Sequence, residues 1–205
     1  MQILLSEQIS DQMLIGGIDE VGRGPWAGPV TAAIVILGSK EITLLSKTNL
    51  NDSKQLSLIQ RQSLDKLIKE IALDFKIIHI DHLRIDEVNI LKATQEAMNQ
   101  CFSALNIIPS KTFIDGRFFT PFQIDNYECI IDGDAKLVSV AAASVIAKVA
   151  RDNLMIEYSK IYPGYGFEKH KGYGTKQHIE ALIHLGPTTI HRKTFKPIRK
   201  YYALD

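Results

Sequence analysis

Residues 17–30 read GIDEVGRGPWAGPV and lead into the apolar run VTAAIVIL. The stretch starts like a buried strand, yet it sets two adjacent carboxylates, Asp19 and Glu20, where a strand interior should be apolar. Burying a charge without a partner is costly, so this pair constrains any fold the chain can adopt. The acids must lie where a proton or a cation can meet them. A turn rich in glycine and proline separates the two apolar runs, so residues 16–21 and 28–37 read as the strands of a hairpin.

Beyond the hairpin, Ser57 is placed to cap a helix to about residue 72, with Leu64, Leu67, Ile68 and Ile71 at helical spacing. DFKIIHI reads as a strand and residues 88–105 as an amphipathic helix. KTFID and YECII read as strands that stop at Asp115-Gly116 and at Gly133-Asp134. Residues 137–160 read as one long helix whose alanine-rich part, VAAASVIAKVA, can lie close against a sheet. GYGFEKHKGYG reads as a loop, and Thr175 opens a last helix to about residue 185. Strands alternating with helices after a hairpin indicate an α/β domain with a mixed sheet. The 205 residues, with no internal repeat and no linker, suit a single domain.

A composition of 45% hydrophobic and 23% charged residues excludes a disordered chain. The most apolar run, around 138–150, is broken by Ser144 and Lys148, which argues against a membrane span. MQILLSEQIS lacks the basic and apolar regions of a signal peptide. Cys101 and Cys129 sit in apolar contexts and read as buried free thiols in a reducing cytoplasm. The net charge of +1 hides an asymmetry, because residues 1–159 carry 15 Lys/Arg against 20 Asp/Glu, and residues 160–205 carry 9 against 3. A basic C-terminal quarter on an acidic body suits a polyanionic partner, with a merely solvated basic face as the alternative.

Three probable strands thus end in or pass through acids: Asp19-Glu20, Asp115 and Asp134. Ligands of open α/β sheets bind at strand carboxyl ends, although an Asp beside a Gly is by itself more often a turn residue. Converging carboxylates repel one another and call for a hard divalent cation such as Mg²⁺ or Mn²⁺. About four of them suit phosphoryl transfer with two ions roughly 3.5–4 Å apart. Competing chemistries are weaker. The Cys and His spacing gives no zinc pattern, and GRGPWAG lacks the GKS/T ending of a phosphate-binding loop. Ser144 and Lys148 could form a dyad, but read better as a helix-surface hydroxyl and a phosphate-facing lysine. His170, His178, His184 and His191 show no metal-like pairing and read as solvated or phosphate-facing.

GIDEVGRGPWAGPVTAA, NDSKQLS, FIDG, GDAK with VSVAAASVIAKVARD, and YPGYGFEKHKGYGTKQH with HRKTFKP occur in that order between about residues 16 and 198. Together they resemble the motifs of ribonuclease HII. The related ribonuclease HIII typically has a different glycine turn and an extra N-terminal domain. The resemblance implies an RNase H-like fold, a mixed central sheet flanked by helices, with residues 160–205 as a basic helical C-terminal segment. It implies Mn²⁺- or Mg²⁺-dependent cleavage of RNA in RNA–DNA hybrids and 5′ of single ribonucleotides in duplex DNA, leaving 3′-hydroxyl and 5′-phosphate ends. The family's four acids, catalytic and metal-binding, fall on Asp19, Glu20, Asp115 and Asp134. The turn that reads the ribose 2′-hydroxyl through its backbone falls on Gly22, Arg23 and Gly24, and the tyrosine that packs on the next sugar falls on Tyr173. Lys54, Lys148, His170 and Lys171 match as phosphate contacts. The expected protein is a cytoplasmic monomer with no membrane association. One departure is Asp132, where many relatives carry lysine; RKYYALD also shows no clamp-binding tail. The rival readings are another RNase H-like nuclease, which needs no 2′-hydroxyl reader, and a nucleic-acid-binding module with vestigial acids.

Overall fold

A computed structural model describes residues 12–52, 56–117 and 125–202, without the side chains of residues 51 and 52. Its hairpin is β1 (Ile15–Val21) and β2 (Val30–Leu37), paired antiparallel with Asp19 opposite Ala33. A third antiparallel strand, β3 (Asp74–Ile80), pairs with β2. On the other side, β4 (Lys111–Asp115) runs parallel to β1, and β5 (Tyr127–Ile130) runs parallel to β4. The order β3-β2-β1-β4-β5 therefore makes a mixed sheet with β1 at its centre. All eight residues of β2 are buried, as expected for a strand covered on both faces.

The helices divide between those faces. Between β2 and β4 lie α1 (Ser39–Leu45), α2 (Leu58–Ile71), α3 (His82–Val88) and α4 (Ile90–Ser103). After β5 comes α5 (Val138–Ile161). Alternate strand residues face opposite sides. Ile15, Ala33, Val35 and Leu37 accordingly pack with α2 and α5, whereas Ile18, Ala32, Ile34 and Ile36 pack with α4. Alanines 141–143 and 147 bring α5 close to β1, and Gly17 makes that approach possible. A Cβ on Gly17 would lie 2.1 Å from the backbone of Ser139.

The capping logic holds at Ser57, whose hydroxyl accepts from the Gln60 amide while the Gln60 side chain accepts from the Ser57 amide. Two seven-residue helices, α1 and α3, were not legible in the sequence. Asn89, in the left-handed region at φ 73°, ends α3 and caps α4 through the Leu91 and Lys92 amides. The glycine-rich loop contains a one-turn helix, α6 (Phe167–His170), before the expected α7 (Lys176–Leu185) and a terminal turn, α8 (Lys196–Arg199). Cys101 is buried, Cys129 half-buried, and both are free thiols. No helix among the described residues is long and apolar enough to cross a membrane.

A third core joins the hairpin turn to the C-terminal part. Ala27 packs with Met155, Phe167, Leu182, Ile190 and Ile198. Backbone bonds hold this junction: the Trp26 amide donates to Gly172, the Gly28 amide to Ile190, and the Arg192 amide to Trp26. Residues 26–28 are therefore held between the loop before α7 and the segment 188–192.

Candidate active site

Asp19 and Glu20 are neighbours on β1 and so belong to opposite faces of the sheet. Asp19 faces α5, where its carboxylate is hydrogen-bonded to the Ser144 hydroxyl. Glu20 lines a cleft with Leu91, Thr94 and Met98 of α4 and with Asp115. Asp115 stands at the end of β4 and accepts from the Gly133 amide at 2.7 Å. That contact ties it to the 3-10 turn Gly133–Ala135, which carries the buried Asp134. The two parallel strands and this turn thus deliver the acids to one end of the sheet.

The electrostatics are those of anions held together against their repulsion. Burial, then the charges of Glu20 and Asp115, push the Asp19 carboxyl well above its usual range, against the Ser144 hydrogen bond. Burial also raises Glu20, with Arg23 opposing at 3.2 Å. Among the described residues, no three His, Cys, Asp or Glu side chains surround one metal position. In this arrangement Arg23 holds Glu20, the Gly133 amide holds Asp115, and the Glu20 amide holds Asp19 at 2.7 Å. The donor set still fits Mg²⁺ or Mn²⁺. It is all oxygen, and a divalent ion would relieve the strain of like charge that raises Asp19. Asp132 lines the same cleft as Glu20 and Asp115 and is itself exposed, in the left-handed region at φ 55°. It therefore adds a fifth carboxylate at the cleft rim.

Beside the acids lies the turn Gly22-Arg23-Gly24. Gly22 has φ 93°, and a Cβ there would lie 2.2 Å from Nε of Arg151, so only glycine fits. Two buried arginines hold the turn and the adjoining backbone. Arg151 donates to the carbonyls of Ala27, Pro29 and Lys171 at 2.9–3.2 Å. Arg192 donates to those of Gly22, Arg23 and Gly28 at 2.6–2.9 Å. The Tyr173 ring is 42% exposed, and its edge would be 3.4 Å from a Cβ on Gly24. The ring therefore stands beside the turn.

The structure corrects the reading of the histidines. His170, His178 and His191 are buried, and only His184 of the four is exposed. His170 is not available to a phosphate, because Nδ1 accepts from the Gly172 amide and Nε2 meets the Tyr165 carbonyl at 2.8 Å. It stacks on His178 at 4.6 Å. The remaining bonds fix the tautomers. Nδ1 of His191 accepts from the Thr188 amide, so its Nε2–H donates to Nε2 of His178 at 3.0 Å. His178 must then donate from Nδ1 to the Tyr173 carbonyl, also at 3.0 Å. Three neutral rings thus seat the tyrosine loop. Aromatic packing against Phe167, invisible along the chain, explains their burial.

Ser144 is likewise not a plain surface hydroxyl, since it is half-buried and bonded to Asp19. Lys148 bonds Asp152 at 2.7 Å and remains half-buried. Lys171 is also half-buried; its ammonium is bonded to the Glu168 carbonyl, and burial lowers its proton affinity, with Asp152 opposing. Lys54 lies outside the described residues. Sequence reasoning passed over Arg151 and Arg192. A lone arginine within the apolar run of α5 was the available signal for the first.

A mixed sheet that gathers carboxylates at one end, beside a glycine turn, defines a carboxylate nuclease of the RNase H class. The ribonuclease H2 of Pyrococcus horikoshii OT3 superposes with a TM-score of 0.80 at 28% identity, covering 92% of this chain and 97% of that one. Bst-RNase HIII in complex with Mn²⁺ superposes at 0.79, with 20% identity, over 98% of this chain and 73% of that one, a likeness of fold. The model of the ribonuclease HII family matches residues 16–198. A ribonuclease HII of Endomicrobium trichonymphae is 51% identical over 184 residues, 90% of this chain and 86% of that one. The chain belongs to the ribonuclease HII family. Its activity is that of a ribonuclease H, an endonuclease acting on RNA paired with DNA.

Proposed function

We propose that this ribonuclease cuts on the 5′ side of a ribonucleotide at an RNA–DNA junction, including a single ribonucleotide in duplex DNA, and leaves 3′-hydroxyl and 5′-phosphate ends. Asp19, Glu20, Asp115 and Asp134 are the residues that would hold Mg²⁺ or Mn²⁺. When bound, such ions supply Lewis-acid polarisation of the phosphate and a more acidic water. Ser144 keeps the Asp19 carboxylate oriented, and Arg23 neutralises Glu20 until it is needed as a ligand. The backbone of Gly22, Arg23 and Gly24 reads the 2′-hydroxyl, while the Tyr173 ring packs on the adjacent deoxyribose. Lys148 and Lys171 contact phosphates, as does Lys54, and the protein acts as a monomer in the cytoplasm. His170 holds the tyrosine loop instead of touching the duplex.

One observation supports this most: buried, mutually repelling acids stand beside a glycine turn that also has a half-exposed tyrosine ring next to it. A nuclease indifferent to the sugar needs neither turn nor ring. The test is cleavage of a duplex with one embedded ribonucleotide, with both product ends mapped, for wild type, Tyr173→Ala and Tyr173→Phe. Tyr173→Ala should lose far more activity on that duplex than on a long RNA–DNA hybrid, and Tyr173→Phe should stay near wild type. Equal losses on both substrates would make the ring structural, and cutting of all-DNA duplex would favour a different RNase H-like nuclease.

A further inference from the structure

Arg192 carries no chemistry of its own, yet it is fully buried and, among the described residues, all its guanidinium hydrogen bonds fall on one stretch of backbone. Nε donates to the Gly28 carbonyl, one terminal nitrogen to Arg23 and the other to Gly22. The arginine is itself fixed from behind. Its guanidinium lies 5.0 Å from the centre of the Phe195 ring, and Asp86 of α3 accepts from the amides of Lys193 and Thr194. A planar fork of donors can span three carbonyls in this way, whereas a lysine ammonium cannot.

Peptide planarity turns that hold into a direction. The Gly22 carbonyl shares a peptide plane with the Arg23 N–H, and the Arg23 carbonyl shares one with the Gly24 N–H. In a trans peptide the N–H points opposite to the C=O, and among the described residues no peptide is cis. Drawing both carbonyls inward to Arg192 therefore aims both amides away from it, out of the buried side. Neither amide has an intramolecular acceptor among the described residues. We infer that Arg192 is the positioning residue of the sugar-reading turn, aiming the Arg23 and Gly24 amides at the nucleotide it reads. The inference rests on the proposed role of that turn.

The test compares wild type with Arg192→Lys, which keeps the charge and loses the fork. Two duplexes are used, one with an embedded ribonucleotide and one with a 2′-deoxy-2′-fluoro nucleotide at the same place, whose fluorine is a poor acceptor. Misaimed donors should lower kcat on the ribonucleotide about ten- to a hundredfold with KM little changed. Loss on the fluoro duplex should be much smaller, so the ratio between the two falls. Equal losses on both, in step with a lower folded fraction, would overturn the inference. Phe195→Leu loosens the guanidinium without removing it, and should lower the same ratio by a smaller factor even if Arg192→Lys does not fold; an unchanged ratio in this variant counts against the inference. Amide NMR shifts of Arg23 and Gly24 in the same variants separate the two ways of failing. A wild type with no preference for the ribonucleotide sinks the sugar-reading turn, and the inference with it, even where those shifts move. A wild type that prefers the ribonucleotide while the shifts stay unmoved sinks the hold by Arg192 alone.

Discussion

At the scale of the residue, the centre of this protein is a carboxylate held against burial and the repulsion of its neighbours. Asp19 is 6% exposed and lies within the fields of Glu20 and Asp115, so its ionised form is disfavoured by burial first and repulsion second. Function and stability then pull Asp19→Asn in opposite directions. The amide keeps an oxygen for the Glu20 amide proton but removes the charge that helps attract a cation. Turnover with saturating Mg²⁺ should fall at least about a hundredfold, since a loss of several kcal/mol is worth a tenfold drop for each 1.36. The melting temperature of the metal-free variant at pH 8 should rise, because a repelled, buried charge has gone. Near-normal turnover would remove Asp19 from the metal site, and a lower melting temperature would mean its charge is compensated by something unseen. The acid pair was legible in the sequence because a charge on an apolar strand is too costly to keep there without a cation to meet it. Ser144 was not, because a hydroxyl on an alanine-rich helix gives no sign of which strand it faces.

At the scale of the element, the contact of α5 with β1 depends on a missing side chain. Gly17→Ala would press a methyl into the Ser139 backbone, which cannot swing aside as a side chain could. Overpacking of this kind costs about 3 kcal/mol or more. For a chain of this length that is a loss of roughly 6–12 °C in melting temperature, measurable by calorimetry. A loss below a degree would show that the helix can shift.

The histidine seat gives a second prediction at this scale. His178 and His191 are lowered from 6.5 to about 4, chiefly by burial, with neighbouring histidines adding to it. Between those values the unfolded chain binds protons that the folded one refuses. Stability is therefore complete above pH 6.5 and declines as pH falls towards 4, with no further loss below that. Asp19 and Glu20 act in the opposite sense, since their raised affinity lets the native state take up protons as pH falls. The measurement accordingly belongs in the double variant Asp19→Asn/Glu20→Gln, where melting temperature should drop between pH 7 and 5; a flat profile would mean the rings are already charged or exposed. Strands, long helices and the Ser57 cap were readable because local periodicity and capping fix them. The short α1 and α3 carry too few turns to show a period, and the histidine stack is made by tertiary packing alone.

At the scale of the whole molecule, charge is distributed against the grain of the net value. The body is acidic and holds the acid cluster, while residues 160–205 carry 9 basic against 3 acidic side chains. A duplex bound across such a surface releases counterions, so the logarithm of affinity should fall linearly with that of salt concentration. Asp132→Lys, at the cleft rim, should tighten binding and steepen the slope by about one phosphate contact. An unchanged slope in fluorescence anisotropy would place Asp132 beyond reach of the duplex.

The bonds made by Arg192 span 164 to 170 residues of chain. On the ribosome, the hairpin with Asp19 and Glu20 emerges early, and Asp115, Asp134 and most of α5 follow before residue 192 has been joined. At translation rates of about 5–20 residues per second, the nascent chain spends seconds with its clustered acids made and the brace of its glycine turn still unsynthesised. The hold of Arg192 on the glycine turn thus forms after the strands that carry the acids. A message truncated shortly before codon 192 would encode the acids without that brace.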